Sequence, residues 1–91
     1  MLDQKDGVVE DAKDKLFREI RVEREAQDAQ WGGPAHDDGH PTTDFLDYIA
    51  AKTDLARGEI HRIEKTRARL IQIAAIAVAA VESLDRKGST D

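Results

Sequence analysis

The sequence predicts an all-α fold. The expected architecture is a small three-helix domain with a long loop between helices 1 and 2, and with helix 3 buried in a homo-oligomeric bundle. Three observations predict it. Apolar residues recur at spacings of three and four along most of the 91 residues. Residues 31–43 interrupt that pattern with glycine, proline and histidine. Residues 70–81 are apolar at every position but Gln72, and a helix apolar all round has to be covered on several sides.

Helix 1 is expected over about 7–30. Val9, Ala12, Leu16 and Ile20 step along one face, with Phe17 beside them and charged residues between. Trp31-Gly32-Gly33-Pro34 ends it, because glycine adopts the left-handed cap and proline blocks continuation. Residues 31–43 hold three glycines, both prolines, two of the three histidines and the one tryptophan. They read as an ordered loop, a length that is often functional in a compact domain.

Helix 2 is expected over about 44–56. Thr43 is placed to cap it, and Asp44 suits the positive end of its dipole. Phe45, Leu46, Ile49 and Ala50 form its apolar face, and Gly58 marks a break. Helix 3 is expected over about 59–86. Ile63, Leu70, Ala77 and Leu84 are spaced by seven; Ala74 and Val81 fill the intermediate row, which Arg67 interrupts. Two shorter helices would struggle to cover an all-round apolar helix 3, hence the homo-oligomer, and its small alanines let helix backbones approach closely. Residues 87–91 read as a disordered tail, and 1–91 as one domain.

Composition excludes several function classes. With no cysteine there is no disulfide framework, thiol nucleophile or cysteine-based zinc site. A net charge of −5 argues against DNA binding and against attraction to anionic membranes. Twelve apolar residues are too few to cross a bilayer, which takes about 20. Met1-Leu2-Asp3-Gln4-Lys5-Asp6 is too acidic and polar for a signal peptide, so a cytoplasmic location is expected.

Four groups of residues are candidates for a site. His36 and His40 bracket Asp37 and Asp38. Their nitrogens and oxygens suit zinc, manganese or iron, but no third ligand set accompanies them. A hydrogen-bonded loop is the preferred reading, and no metal is assigned. Trp31 offers a stacking surface for a planar ligand, or a plug for a core poor in aromatics. Arg62, Lys65 and Arg69, with Arg57, Arg67 and His61, form a local basic excess that suits phosphate oxygens or the acidic face of helix 1. The acidic pairs Glu19 and Glu23, and Glu82 and Asp85, can hold Mg²⁺ if the two pairs converge; exposed charges with local partners are the simpler reading. Ser83 and Ser89 have no histidine near in sequence, so a serine nucleophile is not expected.

The stretch from Glu23 to Asp38 resembles a family of small phage and prophage proteins with the pattern E-R-x-x-Q-D-x-x-W-G-G-P-x-H-D-D. The blocks Arg69–Ala75 and Val81–Arg86 are also similar to that family, so the resemblance spans most of residues 18–86. It implies a phage origin. These proteins are grouped loosely with MazG-like nucleotide pyrophosphohydrolases, which carry E-E-x-x-E on one helix and E-x-x-D on a later one. Glu82-Ser83-Leu84-Asp85 fits the second motif. Glu19, Glu23 and Glu25 do not have the spacing of the first.

The expected function is therefore a small phage-type binding protein, cytoplasmic in the host cell. It would sequester a nucleotide-derived ligand or a host protein and so counter host defence. Trp31, His36, Asp37, Asp38, His40, Arg62, Lys65 and Arg69 are its expected ligand-binding residues, with no cofactor. The alternative is a Mg²⁺-dependent nucleoside triphosphate pyrophosphohydrolase using Glu19, Glu23, Glu82 and Asp85.

Overall fold

The structure is a computed structural model and describes residues 10–88. It is all-helical: α1 spans Ala12–Trp31, α2 Gly33–Asp38, α3 Thr42–Gly58 and α4 Ile63–Gly88, with no strand among the described residues. The readings made for Met1–Asp6, for the first three residues of helix 1 and for 89–91 lie outside the described residues.

α1 begins later than the apolar pattern suggests. Asp11 is its N-cap, and the Asp11 carboxylate accepts the Asp14 N–H at 2.8 Å. The turns up to Arg18 are exposed, and burial begins at Glu19 and Ile20. Leu16 and Phe17, expected on a covered face, are 37% and 58% exposed. The periodicity marks a helix correctly but does not say where its neighbour begins.

The loop expected over 31–43 is corrected. Gly33–Asp38 is a short helix, α2, with Pro34 in its first turn. Proline is tolerated there because the first helical N–H groups have no intrahelical acceptor. Two glycines make the corner. Gly32 has φ +108° and donates its N–H to the Asp28 carbonyl at 2.8 Å, closing α1; Gly33 has φ +68°. The chain thus reverses in two residues and lays α2 back against α1 and α4.

α3 starts at Thr42 with Pro41 at the cap position. Thr43 does not cap it, and no side chain does; Asp44 instead pairs with His40 at 2.7 Å. α3 ends at Gly58, and a turn over 59–62 separates it from α4. The Thr66 hydroxyl donates to the Glu59 carbonyl at 2.7 Å across that turn. α4 runs to Gly88, so Lys87 and Gly88 are helical rather than tail.

α4 is the spine: α1, α2 and α3 all pack against it. The core lies between α3 and the C-terminal half of α4, where Phe45, Ile76, Ala79 and Ala80 are buried with Ile49 against them. α1 packs on another side of α4, and its backbone does not approach that of α3; the two helices meet only through side chains at Trp31 and Tyr48. Two ion pairs hold α1. The Arg67 guanidinium grips the Glu19 carboxylate with two 2.8 Å bonds, and Arg24 donates to Glu82 at 2.7 Å.

Replacing Gly32 by alanine is expected to destabilise the fold by about 1–2 kcal/mol, because φ +108° is costly for an L-residue. The new Cβ would also lie 3.4 Å from the His36 Cβ. Gly33→Asn should cost less, since φ +68° is within reach of asparagine. Urea unfolding of both variants measures the difference. Equal losses would place the constraint elsewhere.

Candidate functional site

A small cavity lies where all four helices meet. α1 lines it with Arg24, Gln27, Asp28 and Trp31, which follow spacings of three and four and so share one face. α2 contributes His36 and Asp37, α3 contributes Phe45 and Tyr48, and α4 contributes Ile76 and Ala79. Its volume of about 20 Å³ is room for one water molecule. A larger ligand has to sit at its rim.

The rim is aromatic. The Trp31 and Tyr48 rings lie nearly parallel, 16° apart in plane, with centroids 6.2 Å apart. Both are exposed, Trp31 at 40% and Tyr48 at 44%. Trp31 therefore does not plug the core. The two rings form an accessible stacking surface.

The floor is polar. Asp37 is 7% exposed, and its Oδ2 is buried without a hydrogen-bond partner. The His36 Nδ1 is also buried and unpartnered. It lies 3.6 Å from the Asp37 Oδ1, too far for a hydrogen bond. Buried polar atoms left unpaired cost about 1–3 kcal/mol each, so this pair calls for a water or a ligand group. Gln27, 5% exposed, is satisfied: its Nε2 donates to Glu23 at 3.1 Å and to the Gln72 carbonyl at 3.5 Å.

The walls are held by charge. Arg24 donates to Asp28 at 2.8 Å as well as to Glu82. Burial works against its charge, but those two carboxylates outweigh burial and raise its pKa. Asp38 faces away from the cavity and locks α2 to α4. It accepts from Arg86 at 2.8–3.1 Å and from the buried Ser83 hydroxyl at 3.0 Å. Arg86 holds the Asp38 carboxyl below its ordinary range, with Ser83 assisting. His40 stacks obliquely on His36, with ring centroids 4.4 Å apart, while its Nδ1 meets Asp44. Lys87 donates to the His40 carbonyl at 3.0 Å.

The structure thus brings together Trp31, His36 and Asp37 at one cavity, with His40 adjoining and Asp38 as an anchor. It does not bring Arg62, Lys65 and Arg69 to them within one chain. Those residues lie at the start of α4, whereas the cavity meets α4 at Ile76 and Ala79. From Lys65 to Ala79 is roughly 20 Å along a helix. Arg69 is also engaged by Glu59 at 2.9 Å and by Gln72 at 3.3 Å.

The two acidic pairs do not converge. Glu19 is held by Arg67 and Glu82 by Arg24, and these contacts lie 15 positions apart on α4, or roughly 22 Å. Glu23 accepts from Gln27. Among the described residues, no three histidine or acidic side chains gather in a metal-binding group, so the four-carboxylate Mg²⁺ arrangement is not formed.

Sequence reasoning missed Tyr48 and Phe45, which reach the site only through the packing of α3. It also missed Arg24, Gln27 and Asp28, although their common face with Trp31 was visible in the spacing.

The Asp38–Arg86 lock makes stability pH-dependent. The Asp38 pKa is lowered by folding, so its contribution is complete above the ordinary carboxylate range and is lost as pH falls through the lowered value. Glu19 and Glu59, lowered by Arg67 and Arg69, act in the same direction. The melting temperature should therefore fall on acidification, and Asp38→Asn should melt lower at neutral pH with a shallower acid decline. An unchanged decline in that variant would remove Asp38 as a contributor.

No family model, curated protein or solved structure matches the chain.

Proposed function

We propose that this chain is a small homo-oligomeric binding protein that captures a planar, nucleotide-derived ligand at the Trp31–Tyr48 rim. The observation that carries this reading is an exposed parallel aromatic pair beside a buried carboxylate with an unpaired oxygen. A nucleobase supplies what both lack. Its face stacks on the rings, an interaction worth about 1–3 kcal/mol per base. An exocyclic N–H at the rim can donate to a water in the cavity, and that water can in turn donate to the Asp37 Oδ2 and the His36 Nδ1.

The resemblance of Glu23–Asp38 to phage proteins supports reading this capture as an event in an infected cell. There the protein would withdraw a nucleotide signal from host defence, in the cytoplasm. No helix among the described residues is long and apolar enough to cross a membrane. The hydrolase alternative would need Glu19, Glu23, Glu82 and Asp85 gathered on one metal, and no observation favours it.

Trp31 is the sole tryptophan, so its emission reports the site directly. Titration with a panel of nucleotides and cyclic dinucleotides should quench it for at least one member. Filtration should then recover that member intact with the protein. Trp31→Ala, Tyr48→Ala and Asp37→Asn should each weaken retention roughly 5- to 150-fold, the range of one stacking or buried hydrogen-bond interaction. If no member is retained or changes the emission, nucleobase capture fails and a host-protein partner takes its place. Magnesium-dependent release of pyrophosphate would instead establish the hydrolase.

A further inference from the structure

α4 carries two apolar faces. One holds the buried Ala75, Ile76, Ala79 and Ser83. At 3.6 residues per turn, the row Ile63, Leu70, Ala77, Leu84 and the row Arg67, Ala74, Val81 run along the opposite side. That side is open: Ile63 is 81% exposed, Leu70 56%, Val81 55% and Leu84 47%. Together the two rows make an a/d heptad seam over three repeats, with Ile63 at a d position. Among the described residues nothing covers it, since α1 and α3 flank α4 without closing over this side.

We infer that a second copy of the chain covers this seam, with the two α4 helices antiparallel about a two-fold axis between Ala74 and Ala77. The inference builds on the homo-oligomer reading above and specifies its geometry.

Register is the first argument. Centring the axis there sets Ala74 against Ala77 of the other copy, Leu70 against Val81, and Arg67 against Leu84. Each layer then pairs an a with a d position. Small residues meet at the middle, where helices approach closest, larger ones meet in the next two layers, and Ile63 falls against Gly88 at the edge.

Charge is the second argument. A parallel pair would oppose Arg67 to its own copy across the seam, which is repulsive. The antiparallel pair sets Arg67 beside Asp85 of the other copy on the same flank, twice by symmetry, and Glu64 falls there too, so Arg67 offsets two carboxylates that otherwise face each other. Asp85 is exposed and has no ion-pair partner among the described residues. Arg67 already bonds Glu19, so its cation is held at the seam's edge and its stem covers apolar surface. The helix dipoles also oppose each other in this arrangement.

The chain contains no cysteine, which permits a direct test. Sedimentation of the unaltered protein at about 100 µM, well above a micromolar dissociation constant, should give twice the chain mass. Leu70→Cys protein mixed and oxidised with Val81→Cys protein should form a disulfide dimer. Neither variant alone should do so, because like positions lie 11 residues, or roughly 16 Å, apart along the pair. Val81→Glu should return the mass to that of one chain with its helical signal kept, since Val81 is exposed. A monomer in the unaltered protein would overturn the inference, as would cross-linking by each single variant, which would show parallel pairing. Trp31 emission reads nucleotide capture independently, so failure of the dimer and failure of the binding site are told apart.

Discussion

Residues 70–81 of α4 impose the constraint on which the rest of this structure depends. A helix apolar on every side cannot face water along its whole circumference. α3 answers on one side by inserting Phe45 and Ile49 against Ile76, Ala79 and Ala80. α1 answers on another, where the apolar contact is thinner and polar bonds supplement it. Gln27 reaches the Gln72 carbonyl, and Arg67 and Arg24 tie down Glu19 and Glu82. The remaining side is not answered among the described residues, and this need is the basis for the proposed pairing.

The Gly32-Gly33 corner serves the same need at short range. Without two consecutive positive φ angles, α1 would leave the domain at Trp31, and α2 could not return to α4. The returned α2 places Asp38 between Arg86 and Ser83, a lock that also aims the neighbouring side chains. Asp37, one position earlier, is carried into the interior; His36 points its Nδ1 there too. Burial of an unpaired carboxylate oxygen follows from the placement of α2 rather than from any local preference of aspartate. Its cost is sustained because the corner, the lock and the aromatic rim fix the segment from three sides.

Much of this architecture was legible in sequence. The three longer helices follow from apolar spacing, and Gly58 marks the end of α3 as expected. The heptad rows of α4 were equally visible, though which of its faces turns inward was not. Ala75, Ile76 and Ala79 are no more apolar than Leu70 and Val81, and only the arrival of α3 decides between them. α2 was missed because glycine, proline and aspartate read as loop, whereas proline in a first turn and glycine at a helix end are compatible with helix. The candidate site was half legible. Trp31, His36 and Asp37 lie close in sequence and meet in space, but the basic residues joined to them by chemical plausibility lie at the other end of α4. Spacing along one helix is readable from sequence; convergence between helices depends on crossing geometry that a single chain does not spell out.

The geometry of α4 also separates the two surfaces proposed for it. The cavity touches α4 at Ile76 and Ala79, whereas the heptad seam runs through Ala74, Ala77 and Val81 on the opposite side. Neighbours in sequence therefore lie on different surfaces, and a substitution at 76 or 79 changes the cavity wall while one at 77 or 81 changes the open apolar face. Coupling between the surfaces would have to pass through the helix itself. α4 is continuous from Ile63 to Gly88, with no proline or internal glycine to bend it. A straight helix without a hinge offers no second arrangement through which one surface would bias the other. Capture and assembly are thus expected to add independently, with the pair presenting two separate rims of equal affinity.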